Sequence, residues 1–179
     1  MTATTTSPVS FVVDVRRLPQ RGFPLSIDAD ATQRAELATT HGLISVESFV
    51  AELLVQTWKR DGIRITGKVR ASVTQECIVT LEPLGAEVDE EIEALFVPED
   101  SPLAKPTMDE GEMFLSADGP DAPELFDGER IDAGAVAEEF FALALDPYPR
   151  KAGVELQNPA GADKESSPFE KLRARLQKD

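Results

Sequence analysis

The sequence feature that most constrains the fold is a long alternation of apolar and polar side chains at positions 63–73. Ile63, Ile65 and Val69 fall in one phase of this alternation, and Arg64, Lys68 and Arg70 fall in the other. A period of two residues is typical of a β-strand with two different faces. The preceding run at 43–59 has apolar and β-branched residues at near-alternating spacing, and KRDG at 59–62 separates the two runs. The pattern predicts two long antiparallel strands joined by a tight turn.

Further strands are predicted on both sides of this hairpin. Alternating side chains favour a strand at 10–17, before a Pro- and Gly-containing loop at 18–24. After the hairpin, we predict a short strand at 77–81 and an acidic strand at 86–97.

Two helices are predicted from their capping residues. Asp28 or Asp30 is suited to begin a helix that runs to about residue 40, and Gly42 is suited to end it in the left-handed conformation. The second helix, at 131–145, has Asp132 as its N-cap and Pro147 beyond its end. Its predicted apolar stripe consists of Val136, Phe140, Phe141 and Leu143.

A chain of 179 residues is long enough for one domain with a real core. We predict a flexible terminus at 1–8, rich in Thr and Ser, and a single α+β domain at 9–153. The domain is expected to hold an antiparallel sheet, open or curled toward a barrel, packed with a few helices. An acidic, proline-containing loop is predicted at about 98–126. A polar linker at 154–167 precedes a basic amphipathic tail helix at 168–178, where Ser167 and Glu170 have the spacing of a capping box.

The net charge of −15 is unevenly distributed. Positions 82–146 contain twenty acidic and two basic residues, so the remaining positions carry a slight excess of basic residues. This charge disfavours non-specific attraction to phosphate backbones or anionic lipid surfaces. Any direct contact with a nucleic acid is therefore expected at the ends of the chain. No leader or membrane-spanning run is apparent, and a single cysteine excludes an intramolecular disulfide, which together predict a cytoplasmic protein without a membrane partner.

Few side chains are suited to catalysis or metal binding. The one histidine, His41, lies beside the helix-ending Gly42, where a surface cap position is the stronger interpretation than a general base. Cys77 is better explained as a small buried side chain than as a nucleophile. These two residues are too few for structural zinc, and no EF-hand loop, Walker A or dinucleotide-binding glycine pattern occurs. We expect no catalytic residue, no cofactor and no metal.

Contacts with macromolecules are the remaining class of function. We predict a partner-binding group of four carboxylates on the acidic strand and two cations after the second helix: Glu87, Asp89, Glu91, Glu93, Arg150 and Lys151. A second group of residues could contact RNA phosphates: Arg64, Lys68, Arg70, Lys171, Arg173 and Arg175. The three that lie on the predicted strand, Arg64, Lys68 and Arg70, could equally form ion pairs with the acidic strand.

The order of segments resembles the bacterial YceD family. The resemblance covers roughly positions 9–178 and is carried by VRASVTQECIVTLEP, VDEEIEALFVPE, IDAGAVAEEFFALALDPYPRKAG and PFEKLRARLQK. Many members carry a C-x-x-C pair, but here Cys77 is followed by Thr80 at the second place. Any metal or redox role of the family is therefore not carried over to this chain.

The resemblance implies a role in ribosome biogenesis, in the accumulation of large-subunit (23S) ribosomal RNA. We expect a non-enzymatic factor whose direct partner is a large-subunit ribosomal protein or an rRNA-processing factor, since complementary charge favours a basic protein. The alternative is a direct RNA-binding module that uses the basic strand face and the tail helix.

Overall fold

The computed structural model of this protein describes residues 6–104, 108–109, 112–113, 123–126 and 129–153. The two α-helices are α1 (Ala31–His41) and α2 (Ala133–Ala144). The strands are β1 (Val12–Asp14), β2 (Phe23–Asp28), β3 (Ser45–Trp58), β4 (Gly62–Glu76), β5 (Pro83–Pro98), β6 (Met108–Asp109), β7 (Glu112–Met113), β8 (Glu124–Phe126) and β9 (Arg130–Asp132). Short 3₁₀ turns lie at Val15–Arg17 and Pro102–Ala104.

The main sheet has five strands in the order β2-β3-β4-β5-β8. The first four are antiparallel to their neighbours, and β8 runs parallel to β5. The two end strands of this order do not pair with each other, so the sheet is open and is not a closed barrel across the described residues. A separate pair, β1 with β9, brings the N-terminal segment to the start of α2. The α+β class is confirmed.

The predicted hairpin is confirmed as β3 and β4, which pair from Ser45 with Thr74 to Trp58 with Gly62. Lys59 in the turn adopts a positive φ of 54°, a conformation that a tight turn requires of one of its residues. At Gly67 the two backbones come so close that a Cβ would lie 2.1 Å from the carbonyl oxygen of Glu52. Any other residue at this position would force the strands apart.

Both predicted helices are confirmed, with different ends. Asp30 and Gln33 form a capping box on α1, and Gly42 follows it with φ 64°. Asp132 caps α2, but Ile131 belongs to β9 rather than to the helix. The predicted apolar stripe of α2 is wrong at Leu143, whose side chain is 75% exposed. Leu143 lies two positions after Phe141, so a regular helix turns it about 200° away from that buried ring.

The helices cover one face of the sheet, where the core lies. The Phe49 ring on β3 meets the Phe141 ring on α2 edge to face at 5.4 Å, and both are fully buried. Leu37 brings α1 into the same core. Neither helix in the described part of the chain has the length and apolar character that a membrane crossing needs. The other face of the sheet carries no helix among the described residues.

Three predictions about local structure are wrong. A strand, β2, includes positions 23 and 24, which the sequence placed in a loop. Positions 77–81 form a turn, because the Cys77 N–H donates to the carbonyl of Glu82 and the Leu81 N–H donates back to the carbonyl of Cys77. In place of the C-terminal half of the strand predicted at 10–17, a 3₁₀ turn begins at Val15.

The remaining predictions concern the termini and the acidic segment. The described residues of the segment at 98–126 include β6, β7, β8 and the 3₁₀ turn at Pro102–Ala104. Within the predicted flexible terminus at 1–8, Ser7 and Pro8 accept hydrogen bonds from Val9 and Gln33. Residues 1–5, the linker at 154–167 and the predicted tail helix at 168–178 lie outside the described residues.

Candidate functional site

The face of the sheet opposite the helices brings together the two charged groups that the sequence had assigned to different roles. The β4–β5 register places Lys68 opposite Glu91 and Arg70 opposite Asp89. The alternate residues Ile65, Val69 and Val73 are buried on the other face. We call this surface the charged face; it consists of Glu52 on β3, Arg64, Lys68 and Arg70 on β4, and Glu87, Asp89, Glu91 and Glu93 on β5.

Each cation of the charged face is paired with a carboxylate. Arg64 Nη2 lies 2.7 Å from Glu93 Oε1, and Lys68 Nζ lies 2.7 Å from Asp89 Oδ1. Arg70 reaches Glu52 at 3.3 Å and Asp89 at 3.9 Å. The basic row is therefore paired with its acidic neighbours, which was one of the two interpretations of the sequence. Pairs as exposed as these contribute only about 0–1 kcal/mol each to stability, because water and salt screen them.

The carboxylates outnumber the cations on this face, so it stays negative after pairing. Glu87 accepts a hydrogen bond of 2.8 Å from the Ser72 hydroxyl. Glu91 is exposed and forms no ion pair within the described residues. Two of the four predicted partner-binding carboxylates, Glu87 and Glu91, therefore have their charge uncompensated by a neighbouring cation. They are available to a cationic partner without breaking an existing ion pair.

A cleft of 470 Å³ opens on the charged face beside Glu52. Pro24, Leu54 and Thr66 from three adjacent strands line it. The cleft lies at Gly67, where the close approach of the strands leaves no room for a side chain. The arrangement places a small apolar depression next to carboxylates, which suits a cationic segment that also carries an apolar side chain.

The predicted contact residues Arg150 and Lys151 lie in the turn after α2, against the loop between β4 and β5. Lys151 Nζ contacts Glu82 Oε2 at 2.8 Å. This ion pair raises the pKa of Lys151 and lowers the pKa of Glu82. Arg150 is exposed and has no ion pair within the part of the chain that the structure describes. The two cations therefore lie near the loop between β4 and β5, at the start of the acidic strand β5.

Cys77 is fully buried in this same loop. Hydrogen bonding by the Thr80 side chain, and then by the backbone N–H groups of Lys151 and Thr80, lowers the pKa of the Cys77 thiol to about 7. The two backbone nitrogens lie 3.5 Å from the sulfur. The Ile78 N–H donates to the carbonyl of Pro149 at 3.0 Å. The sulfur thus joins the loop between β4 and β5 to the turn after α2.

His41 joins the two helices. Its Nε2 lies 3.0 Å from Glu138 Oε1, and its ring meets Phe141 edge to face at 5.5 Å. Both side chains of the His41–Glu138 pair are mostly buried. The described residues bring no nucleophile to this histidine, and they contain no group of three or more His, Cys, Asp or Glu side chains placed to hold a metal ion.

Sequence reasoning missed two residues of this arrangement. Glu52 pairs with Arg70 across β3 and β4, and the hairpin register set by the turn at 59–61 would have placed it on the charged face. Asp132 does more than cap α2, because it also accepts hydrogen bonds from the Ser10 hydroxyl and the Phe11 N–H. Nothing in the sequence around Asp132 indicates that it contacts Ser10 and Phe11, which lie more than 120 positions earlier in the chain.

These features define an α+β protein whose sheet is covered by helices on one face and exposes ion-paired charges on the other. A family model for YceD, described as large ribosomal RNA subunit accumulation protein YceD, matches residues 65–176. This match spans more than half of the chain, and the chain belongs to the YceD family. Searches of curated proteins and of solved structures gave no significant match. The family name implies a role in accumulation of the large ribosomal RNA subunit.

Proposed function

We propose that this protein is a non-enzymatic cytoplasmic factor in ribosome biogenesis that supports accumulation of large-subunit (23S) ribosomal RNA by binding a basic partner on its charged face. The partner is a large-subunit ribosomal protein, an rRNA-processing factor or the ribonucleoprotein that contains one. Family membership supports the ribosomal role. The single observation that carries the mode of action is the exposed, net-negative sheet face that no described helix covers.

Charge complementarity favours a protein over naked RNA as the direct partner. A polyanion approaching this face meets a net charge of −15 on the whole chain, whereas a basic protein is attracted by it. The cations on β4 orient the carboxylates of β5 and reduce the repulsion between them. Glu87 and Glu91 provide the uncompensated charge for the first contact.

The test compares two neighbouring carboxylates on the same strand. Glu91 lies on the charged face, whereas Glu90 is exposed in the opposite phase, across from Val69. We expect E91Q combined with E87Q to weaken capture of large-subunit proteins from the organism's own extract by about tenfold, if each lost charge contact contributes roughly 0.7 kcal/mol. The single variant E91Q should weaken capture by about threefold, and its matched control E90Q should capture the wild-type amount. Equal capture by E91Q and E90Q would contradict the proposed surface.

Direct RNA binding is the second candidate, and the observation that favours it is the exposed Arg150 beside Lys151. In this version Arg64, Lys68 and Arg70 leave their carboxylates to meet phosphates, and the tail residues Lys171, Arg173 and Arg175 add further contacts. The logarithm of RNA affinity should then fall linearly with the logarithm of salt concentration, and R150Q should reduce the slope by about one phosphate contact. RNA capture that persists after the bound proteins are stripped away would favour this candidate over the first.

A further inference from the structure

The described chain ends beside a groove of 380 Å³ at one end of the molecule. The groove lies between the end of α2, the segment before β3 and the loop after β4. Its lining includes Leu43, Gln75, Ile78, Ala142, Leu145 and Pro149. We call it the end groove. It is distinct from the charged face and from the cleft beside Glu52.

The end groove has a mixed lining, in which apolar side chains lie beside polar ones. Ile78 lines the groove and is 44% exposed. Leu43, Leu145 and Pro149 also line the groove, and they are half-buried. Partly exposed apolar side chains in a groove suit the apolar face of a docked helix.

We propose that residues 168–178 of the same chain form a helix that docks in the end groove. Phe169, Leu172 and Leu176 have the i, i+3, i+7 spacing by which an amphipathic helix inserts its apolar face into a groove. A helix of this length is marginal in water alone, so burial of that face is what stabilises it.

The path of the chain favours this occupant over a separate molecule. The carbonyl of Pro149 accepts the hydrogen bond from Ile78, so the chain leaves the described part only four residues beyond the groove, at Gly153. The linker at 154–167 spans at most about 46–50 Å when extended. This length is more than enough to return the chain from Gly153 to the nearby end groove. A linker of this kind holds its ends at an effective concentration on the order of millimolar, so a weak intrinsic affinity is sufficient for docking.

The charges of the groove and the tail are complementary. Glu76 and Asp146 line the groove, and neither Lys nor Arg is among its lining residues. His41 also lines the groove, where it pairs with Glu138. In a regular helix Arg173 and Arg175 flank the apolar side of the tail, one on each side, where they can face these carboxylates. Lys171 and Lys178 point away from the groove. The docked helix therefore displays a small basic surface near Arg150 and Lys151 on an otherwise acidic molecule.

Photocrosslinking in the full chain tests the location of the tail. Photoreactive benzoylphenylalanine replaces Phe169, and mass spectrometry identifies the residues that it captures. We expect crosslinks within one chain to positions 43–44, 75–78 and 142–149. Mixing isotopically light and heavy protein separates crosslinks within a chain from those between two copies. Crosslinks only between copies, crosslinks to the charged face, or no crosslink within the chain would overturn the proposal.

Hydrogen exchange in the full chain tests whether the groove is what orders the tail. Docking lowers the population of open states of the tail, so a variant that weakens docking should speed exchange. We expect the amides at 169–178 to exchange about tenfold faster in I78Q, in which a groove side chain is changed, and also in L172E, than in the wild-type protein. L125Q is the matched control, because Leu125 is an exposed apolar residue of β8 that does not line the end groove. Exchange of the tail amides at the unprotected rate in the wild-type protein, or an equal effect of L125Q, would overturn the proposal. This test is independent of partner binding by the charged face.

Discussion

The two faces of the β4 strand differ in what their side chains contribute. On the helix-covered face, Ile65, Val69 and Val73 are almost entirely removed from water. On the charged face, Arg64 and Arg70 keep about half of their side-chain surface exposed while they hold ion pairs. Burial of apolar surface is strongly stabilising, whereas exposed ion pairs contribute little. The comparison indicates that the covered face determines stability and that the ion pairs of the charged face contribute little to it.

The largest effect is expected from a cavity on the covered face. Phe141 has no exposed surface and packs edge to face on both Phe49 and His41. We expect F141A to lower the free energy of unfolding by about 3–5 kcal/mol, because it removes a buried ring and leaves a void. Equilibrium denaturation in urea measures this. The matched control is L143A, on the same helix but exposed, for which a loss below about 1 kcal/mol is expected. Similar losses of unfolding free energy for the two variants would contradict the conclusion that burial on the covered face determines stability.

A smaller effect is expected at the junction between the N-terminal segment and α2. Asp132 accepts hydrogen bonds from Ser10 Oγ at 2.5 Å, from the Phe11 N–H at 2.8 Å and from the N–H groups of Gly134 and Ala135 at 3.0 Å. Gly134 is required here, because a Cβ would lie 1.8 Å from the Val9 carbonyl.

We expect D132A to cost about 2–3 kcal/mol, since it removes a helix cap and leaves the Phe11 N–H without its acceptor. D132N keeps one acceptor oxygen and should cost less, as thermal or chemical denaturation can measure. A cost of D132A below about 0.5 kcal/mol would show that the N-terminal segment is held by other contacts.

A pH-dependent effect is expected in the loop between β4 and β5, which holds Cys77. The pKa of Cys77 is lowered to about 7 in the folded protein, whereas a thiol in the unfolded chain has a pKa near 8.5. The unfolded state therefore binds more protons between pH 7 and 8.5, so stability from this group rises with pH across that window and is lost as pH falls through 7. We expect C77A to show a flatter stability profile than the wild-type protein in the same window. Parallel profiles would contradict hydrogen bonding to a thiolate.

The smallest effect is expected for an ion pair on the charged face. A double-mutant cycle with K68M and D89N should give a coupling energy of about 0.2–1 kcal/mol, because both side chains are partly exposed and the pair is screened. The coupling should shrink further in high salt. A coupling energy above about 2 kcal/mol would mean that the charged face also determines stability.

The sequence predicted the elements whose pattern is local. The alternation at 63–73 places Arg64, Lys68 and Arg70 in one phase, and the structure keeps them on one face. Gly42 ends α1 as predicted, and Asp30, one of the two predicted caps, begins it, because caps act through hydrogen bonds to residues within a turn. The membership of Glu87, Asp89, Glu91 and Glu93 on the same strand face also follows from alternation.

The elements that the sequence did not predict depend on distant partners. β2 carries Pro24 and gains its strand conformation by pairing with residues 50–55 of β3. Positions 77–81 are β-branched in part and locally favour a strand, but the turn is held by Pro149 and Lys151 from beyond α2. β8 pairs with β5 in parallel over only three residues, too few to leave a periodic signal.

The sequence by itself determined which side chains of the long hairpin share a strand face, where that hairpin turns and that Asp132 caps α2, because backbone sterics and capping act over a few residues. Only the tertiary structure decided which segments, distant along the chain, meet on the apolar face. That choice places Phe141 on Phe49 and leaves the paired charges of β4 and β5 in water. The physical reason is that burying apolar side chains against one another is favourable however far apart they lie along the chain. A charged side chain, in contrast, keeps its hydration only on the face that remains uncovered.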